Sequence, residues 1–235
     1  TVFLTHEMEE RVLGLAPWMR RAPHRVIPEG INVEVFHADA SAAQAFRVNH
    51  TLGDMPFVLA VGALTREKRV EMIIESMHRL PGAPMLLICG EGPLEASLRD
   101  QANRLGVNVR FLGRLPRAEL RGAFNAASVV AHACAVETFG LSVLEAMACG
   151  APVVGVRAGG LIEVVGESGE AGLLVAPDDM EAMARAIGDV LRDPALAARL
   201  RDGARARATE RFALETMAEG YERVLLGVRT RRASL

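Results

Sequence analysis

The chain has 235 residues, half of them apolar, with 27 basic and 29 acidic side chains and a formal net charge of −2. That supplies a real core for one large or two small domains, while the near-neutral charge, without a basic stripe interleaved with aromatics, argues against a nucleic-acid partner. No apolar run reaches membrane-spanning length, and Thr1 to Thr5 lacks both a basic leader and an apolar stretch long enough to direct export, which points to the cytoplasm.

In chain order, residues 1–15 read as one strand and one helix. Short β-branched runs then alternate with helical patterns. Strands are predicted at Phe57 to Val61, Met85 to Cys89, Val109 to Leu112, Val129 to Ala133, Pro152 to Val156 and Gly172 to Val175. Helices are predicted at Glu67 to Leu80, Leu94 to Leu105, Arg117 to Ala127 and Phe139 to Ala148. This alternation, with short connections rich in Gly and Pro, gives an α/β fold with a doubly wound parallel sheet from about Val26 to about Leu191. Its ligand crevice should lie at the carboxyl ends of the strands. The Ala/Arg-rich segment Pro194 to Arg211 keeps Leu196, Leu200 and Ala204 at helical spacing and reads as a covering helix. A last helix, about Ala213 to Leu226, places Met217, Tyr221, Val224 and Leu225 on an apolar strip of the kind that marks an interface or self-association. The tail Arg229, Arg231 and Arg232 offers at most a weak peripheral contact with anionic membrane, about 1 kcal/mol per arginine, beside the simpler reading of a solvated end.

The most informative stretch is ETFGLSVLEAMACG, Glu137 to Gly150, in which two glutamates are separated by seven residues around a Phe-Gly helix start. A helix beginning near Phe139 aims free N–H groups at Gly140 and Leu141 back past Glu137, an end that attracts phosphate. Glu145, among Leu141, Val143, Leu144, Ala146 and Met147, needs a polar partner, and a sugar diol is one; an exposed helix glutamate is the plainer reading. Gly62 and Gly90 follow the first two strands of the sheet, where bare backbone can approach a pyrophosphate. Lys68 stands near a helix start, unfavourable for a cation unless an anion arrives. Gly159 and Gly160 open a short helix, Leu161 to Val165, a second anion-friendly end, with Glu163 in its first turn. Asp178 and Asp179 read as a helix cap, and no acidic pair with metal-ligand spacing faces the crevice. His132 at a strand end reads as a structural hydrogen-bonding group. Cys89, Cys134 and Cys149 lie in apolar patterns without CxxC spacing and read as reduced core thiols, not as a disulfide or metal set.

Seven segments resemble, in order and spacing, those of the retaining GT-B glycosyltransferases, especially the large family 4 group (glycosyl transferases group 1): VIPEGINVEVF from Val26, VGALTREK from Val61, CGEGP from Cys89, FLGRL from Phe111, GAPVVG from Gly150, AGGLIEVV from Ala158 and GLLVAPDD from Gly172. ETFGLSVLE resembles that group's Glu-x7-Glu signature. The resemblance implies a two-domain architecture of Rossmann-like sheets, of which this chain is the C-terminal, donor-binding half. Residues 1–25 then correspond to the end of the N-terminal domain and a linker, 26–212 to the nucleotide-sugar domain, and 213–235 to a crossover helix and basic tail. The missing N-terminal domain would hold the acceptor, whether sugar, lipid or small molecule.

By the same resemblance, the donor is a UDP-sugar or GDP-sugar bound without metal or other cofactor. Glu137 and Lys68 act at the reacting centre, Lys68 on the diphosphate leaving group and Glu137 on the sugar hydroxyls. Gly62, Arg66, Gly90, Arg114, Leu115, Phe139, Gly140, Leu141, Glu145, Gly159 and Gly160 hold the nucleotide sugar, with Glu145 on the ribose and the Arg114 backbone at the base. Two departures stand out: Ala63 where the group commonly has Arg, for which Arg66 could substitute, and Ala133-Cys134 where it often has Pro-Ser after the histidine. A nucleotide-sugar epimerase or glycosyl phosphorylase of the same architecture, or a non-catalytic binding module, remains the alternative. A dehydrogenase is disfavoured, since no G-x-G-x-x-G follows the first strand.

Overall fold

The computed structural model describes residues 1–82 and 84–232, with side chains through Gly227. The strands are β1 (Val2–Phe3), β2 (Arg25–Val26), β3 (Phe57–Val61), β4 (Met85–Cys89), β5 (Val109–Gly113), β6 (Val129–His132), β7 (Val153–Val156) and β8 (Leu173–Val175). The α-helices are α1 (His6–Leu15), α2 (Ala40–Asn49), α3 (Val70–His78), α4 (Glu95–Leu105), α5 (Arg117–Ala126), α6 (Leu141–Ala148), α7 (Leu161–Val165), α8 (Met180–Arg192), α9 (Pro194–Arg211) and α10 (Leu214–Arg232).

Six strands form one parallel sheet in the order β5-β4-β3-β6-β7-β8. Near-continuous apolar runs such as Phe57-Val58-Leu59-Ala60 are buried on both sides, as a sheet covered by helices on two faces requires. Under α3, α4 and α8, one core gathers Val58, Ile73, Ile74, Ile88 and Ile187; on the other face, Leu59, Leu87, Phe124, Leu144 and Met147 pack with α5, α6 and α9. From β3 the chain winds outward to β5, then returns through α5 to β6 and winds the other way to β8. The reversal lies between β3 and β6. In an open sheet of this kind ligands bind at that switch point, outside the carboxyl ends of the two strands.

Sequence and structure differ where local geometry overrides periodicity. The helix predicted from Glu67 is broken: Arg66–Lys68 form a single 3-10 turn, Arg69 takes the left-handed region at φ 52°, and α3 begins only at Val70. Arg69 is an ion-pair partner of Asp178, itself at φ 64°, so Asp178 clamps the break while Asp179 alone caps α8 through the Ala182 N–H at 2.7 Å. Helix α2 is absent from the predicted elements because only Phe46 of its ten residues is buried, too weak an apolar stripe to read. Its backbone lies close against α5, where a Cβ on Gly122 would stand 2.9 Å from the Ala42 carbonyl oxygen.

β1 and β2 make a separate two-stranded parallel sheet, and α10 runs back against the residues that follow it. Ala213 pairs with Ile31, the Gly30 N–H donates to the Met217 sulfur at 3.2 Å, and Gly220 packs on Ile27. The apolar strip expected on this helix therefore divides: Met217 faces the Gly30 turn and Val224 is half-buried, whereas Tyr221 and Leu225 are exposed. The side chains of Arg229, Arg231 and Arg232 lie outside the described residues. Among the described residues no helix is long and apolar enough to cross a membrane.

Helix α9 forms as its composition suggests, with Pro194 in the first turn and Asp193 accepting hydrogen bonds from the Ala195 and Leu196 N–H groups at 2.9 and 3.0 Å. Asp193→Ala should lower unfolding stability by about 1 kcal/mol in a denaturant titration, with an unchanged slope.

Candidate active site at the switch point

The 3-10 turn after β3 brings Lys68 over the switch point, and the loop after β6 brings Glu137 to meet it. Lys68 Nζ donates to Glu137 Oε2 at 2.6 Å, with the lysine side chain 29% and the glutamate 12% exposed. His132, the last residue of β6, places Nε2 3.2 Å from the same oxygen. This nitrogen is buried and, among the described residues, meets no hydrogen-bond partner in good geometry, so it faces the carboxylate at ion-pair distance. The His132 contact first, and the Lys68 ammonium after it, hold the Glu137 carboxyl at about 2 against the opposing effect of burial. Lys68 and His132 also line a crevice with Gly62 and Ala133 between the ends of β3 and β6.

The loop carrying Glu137 is fixed from behind. The Gly160 N–H donates to the Glu137 carbonyl at 2.8 Å, and a Cβ on Gly159 or Gly160 would stand 2.2 or 2.3 Å from the carbonyl oxygens of Glu137 and Thr138. Gly159 and Gly160 thus serve close approach between two loops. With the Gly160 N–H occupied, the second anion-binding end expected at α7 is not free in the way the sequence suggested. Glu163, in the first turn of α7, accepts from the His6 N–H at 2.7 Å and contacts His6 Nδ1 at 2.5 Å, fastening α1 to this side of the molecule.

Helix α6 begins at Leu141, two residues later than expected. Gly140 takes φ 101°, a conformation that favours glycine, and its carbonyl accepts from both Val143 and Leu144. Among the described residues the N–H groups of Gly140, Leu141 and Ser142 have no hydrogen-bond partner, so the free helix end includes the expected Gly140 and Leu141 and extends to Ser142. Phe139 is not a ligand-facing residue: it is 2% exposed and packs edge-on against Phe212. Glu145 lies one turn into α6, part-buried, with its carboxyl raised by desolvation and lowered in part by Arg117 at the start of α5. None of the described residues hydrogen-bonds its carboxylate, which leaves a polar group half out of water without a partner.

A Cβ on Gly90 would stand 1.9 Å from the Gly62 carbonyl oxygen, so the glycine lets the turns after β3 and β4 pack. A Cβ on Gly62 would stand 3.8 Å from the Lys68 stem. Arg66 is exposed; Arg114 is exposed, its N–H 3.4 Å from Glu91 Oε1, and Leu115 is half-buried in the core. The structure therefore joins Gly62, Lys68, Glu137, Gly140 and Leu141 in one place, sets Glu145 one turn further along α6, and gives Gly90, Phe139, Gly159 and Gly160 packing contacts of their own. Sequence reasoning missed His132 as a partner of Glu137. The available signal was its place at the carboxyl end of a strand bordering the switch point.

The family described as Glycosyl transferases group 1 matches residues 43–207. The chain belongs to this family. It is 32% identical over 219 residues to the GDP-mannose-dependent alpha-(1-6)-phosphatidylinositol monomannoside mannosyltransferase of Mycolicibacterium smegmatis, covering 88% of this chain and 57% of that protein. It is 38% identical over 178 residues to a glycogen synthase of Mycobacterium tuberculosis, 73% of this chain and 42% of that one. The chain thus spans about half the length of these relatives. Among solved structures it is similar to Anabaena HepE in complex with UDP and glucose, with TM-score 0.87 and 25% identity over 96% of this chain and 62% of that one. Sucrose-phosphate synthase from Thermosynechococcus elongatus matches with TM-score 0.82 and 32% identity, over 98% and 58%. The α/β fold with its parallel central sheet matches the structures of GT-B glycosyltransferases.

The buried contact between Lys68 and Glu137 is measurable without any ligand. Lys68→Met should cost about 1–3 kcal/mol by leaving a half-buried carboxylate with one partner fewer. Adding Glu137→Gln should recover part of that loss, giving a coupling of about 0.5–3 kcal/mol in a double-mutant cycle by denaturant unfolding. Additive single effects would show that the pair carries no energy.

Proposed function

We propose that this chain is the donor-binding half of a retaining, family 4 glycosyltransferase that uses a nucleoside-diphosphate sugar, UDP- or GDP-linked, without a metal ion. The observation that carries this reading is the Lys68–Glu137 pair at the switch point, beside the free N–H groups of Leu141 and Ser142. A diphosphate entering there offers Lys68 a more highly charged partner than Glu137 does. The ammonium and the helix end then share the anion. Glu137, released from the lysine yet still held ionised by its surroundings, turns its oxygens to the donor sugar's hydroxyls, for which a carboxylate is an acceptor only. As the glycosidic bond breaks, negative charge grows on the diphosphate. Donors already aimed at it stabilise the transition state more than the bound substrate. Glu145, unpartnered in α6, takes the ribose diol, the backbone of Arg114 and Leu115 meets the base, and exposed Arg66 swings in where Ala63 offers no charge.

The relatives support the donor class: a GDP-mannose-dependent enzyme in sequence, and a UDP-bound protein in structure. They favour neither base for this chain. Acceptor binding belongs, on this reading, to a partner domain that closes over the crevice and excludes water.

Calorimetry with UDP, GDP and their sugar conjugates in a chelator should show binding of at least one nucleotide. Binding that appears only with Mg²⁺, or for no nucleotide tested, contradicts the reading. For the nucleotide that binds, Glu145→Ala should weaken affinity by about 1–3 kcal/mol through lost hydrogen bonds from ribose. Glu137→Ala should weaken the sugar conjugate while leaving the bare diphosphate as tight or tighter, because Lys68 is then unpaired. Equal losses for both ligands at Glu137 would refute that division of roles.

A further inference from the structure

Two residues beyond His132 lies Cys134, buried, at the position where the glycosyltransferase resemblance leads one to expect serine. A ligand nitrogen of His132, the Cys134 sulfur and a Glu137 carboxylate oxygen lie within 4.8 Å of one another. One more observation marks this cluster as a place where something can bind. The His132 side chain is 6% exposed, and among the described residues its Nε2 meets no hydrogen-bond partner in good geometry although it stands 3.2 Å from Glu137 Oε2. A nitrogen buried without a partner costs free energy that a ligand recovers.

We propose that His132, Cys134 and Glu137 form a binding site for a thiophilic divalent cation of the Zn²⁺ type, occupied only when Lys68 leaves Glu137. One imidazole nitrogen, one thiolate and one carboxylate oxygen make a three-ligand set of the kind that holds zinc with a fourth, open position. The sulfur selects against Mg²⁺ and Ca²⁺, which take oxygen ligands. Tetrahedral distances of about 2.0–2.3 Å place ligand atoms closer together than they stand here, so side-chain rotation must draw them inward. The loop between β6 and α6 can supply it at Cys134. On binding, the Cys134 thiol proton passes to solvent and the sulfur–metal bond forms.

Lys68 decides occupancy. Its ammonium holds Glu137 Oε2 at 2.6 Å, and a metal ion drawn to the same carboxylate would stand close enough to the ammonium to be repelled. The ion pair and the metal are therefore alternatives, and the lysine acts as a built-in competitor. On the donor-binding reading, a bound metal would also take Glu137 from the sugar and so block the site.

The test uses no nucleotide, so its outcome is separate from that of the donor reading. Co²⁺ is titrated into the metal-stripped chain and followed by the near-ultraviolet thiolate-to-cobalt charge-transfer band, with Zn²⁺ affinity measured by displacement. Binding at the other histidine–glutamate contacts, His6 with Glu163, His24 with Glu9 and His50 with Glu119, produces no such band. The wild type should give the band. Cys134→Ser should abolish it and weaken Zn²⁺ at least tenfold, and Lys68→Met should tighten Zn²⁺ at least tenfold in a protein whose circular dichroism is unchanged. Absence of the band in wild type, its survival in Cys134→Ser, or Zn²⁺ affinity unmoved by Lys68→Met would each overturn the proposal.

Discussion

One ion pair sits where the two halves of the sheet part company. Lys68 belongs to the half that winds from β3 toward β5, and Glu137 to the half that winds from β6 toward β8; their side chains meet across the reversal at 2.6 Å. A half-buried carboxylate needs company, and here a lysine and a histidine converge on a single oxygen. The arrangement stores a choice. Whatever anion can replace Glu137 beside Lys68, or whatever cation can replace Lys68 beside Glu137, finds a site already assembled.

The surrounding fold holds that pair in register. A left-handed Arg69, fastened to Asp178, stops the helix that would otherwise run on from Glu67 and leaves Lys68 in a 3-10 turn over the crevice. On the opposite side, Gly159 and Gly160 let the β7–α7 loop press against the backbone of Glu137 and Thr138, so the glutamate rests on main chain instead of on mobile side chains. Gly90 fills the same need between the turns after β3 and β4. Gly90, Gly159 and Gly160 allow turn to touch turn, and Gly62 and Gly140 border the side chains of the pair itself.

The parallel sheet was legible because its strands are apolar runs bounded by Gly and Pro, and six of six lie where periodicity places them, with ends moved by a residue or two. The two glutamates and Lys68 were legible through spacing and resemblance. Three features were not. Helix α2 hides because one buried Phe46 does not make a stripe. The break at Arg69 depends on Asp178, more than a hundred residues away, and local propensity cannot register such a partner. His132 looked structural because a strand-end histidine usually bonds to its neighbours; only the three-dimensional fold shows its Nε2 unbonded and facing Glu137.

The central claim is that Lys68 exchanges Glu137 for the diphosphate of the donor. A crystal structure of the chain with a bound nucleoside diphosphate, grown in a chelator, tests it most directly. The account predicts Lys68 Nζ within hydrogen-bond distance of a phosphate oxygen, the Leu141 and Ser142 N–H groups pointing at the same diphosphate, and Glu137 released from the lysine. A nucleotide bound in that crevice with the Lys68–Glu137 pair intact, or bound elsewhere on the molecule, would contradict it.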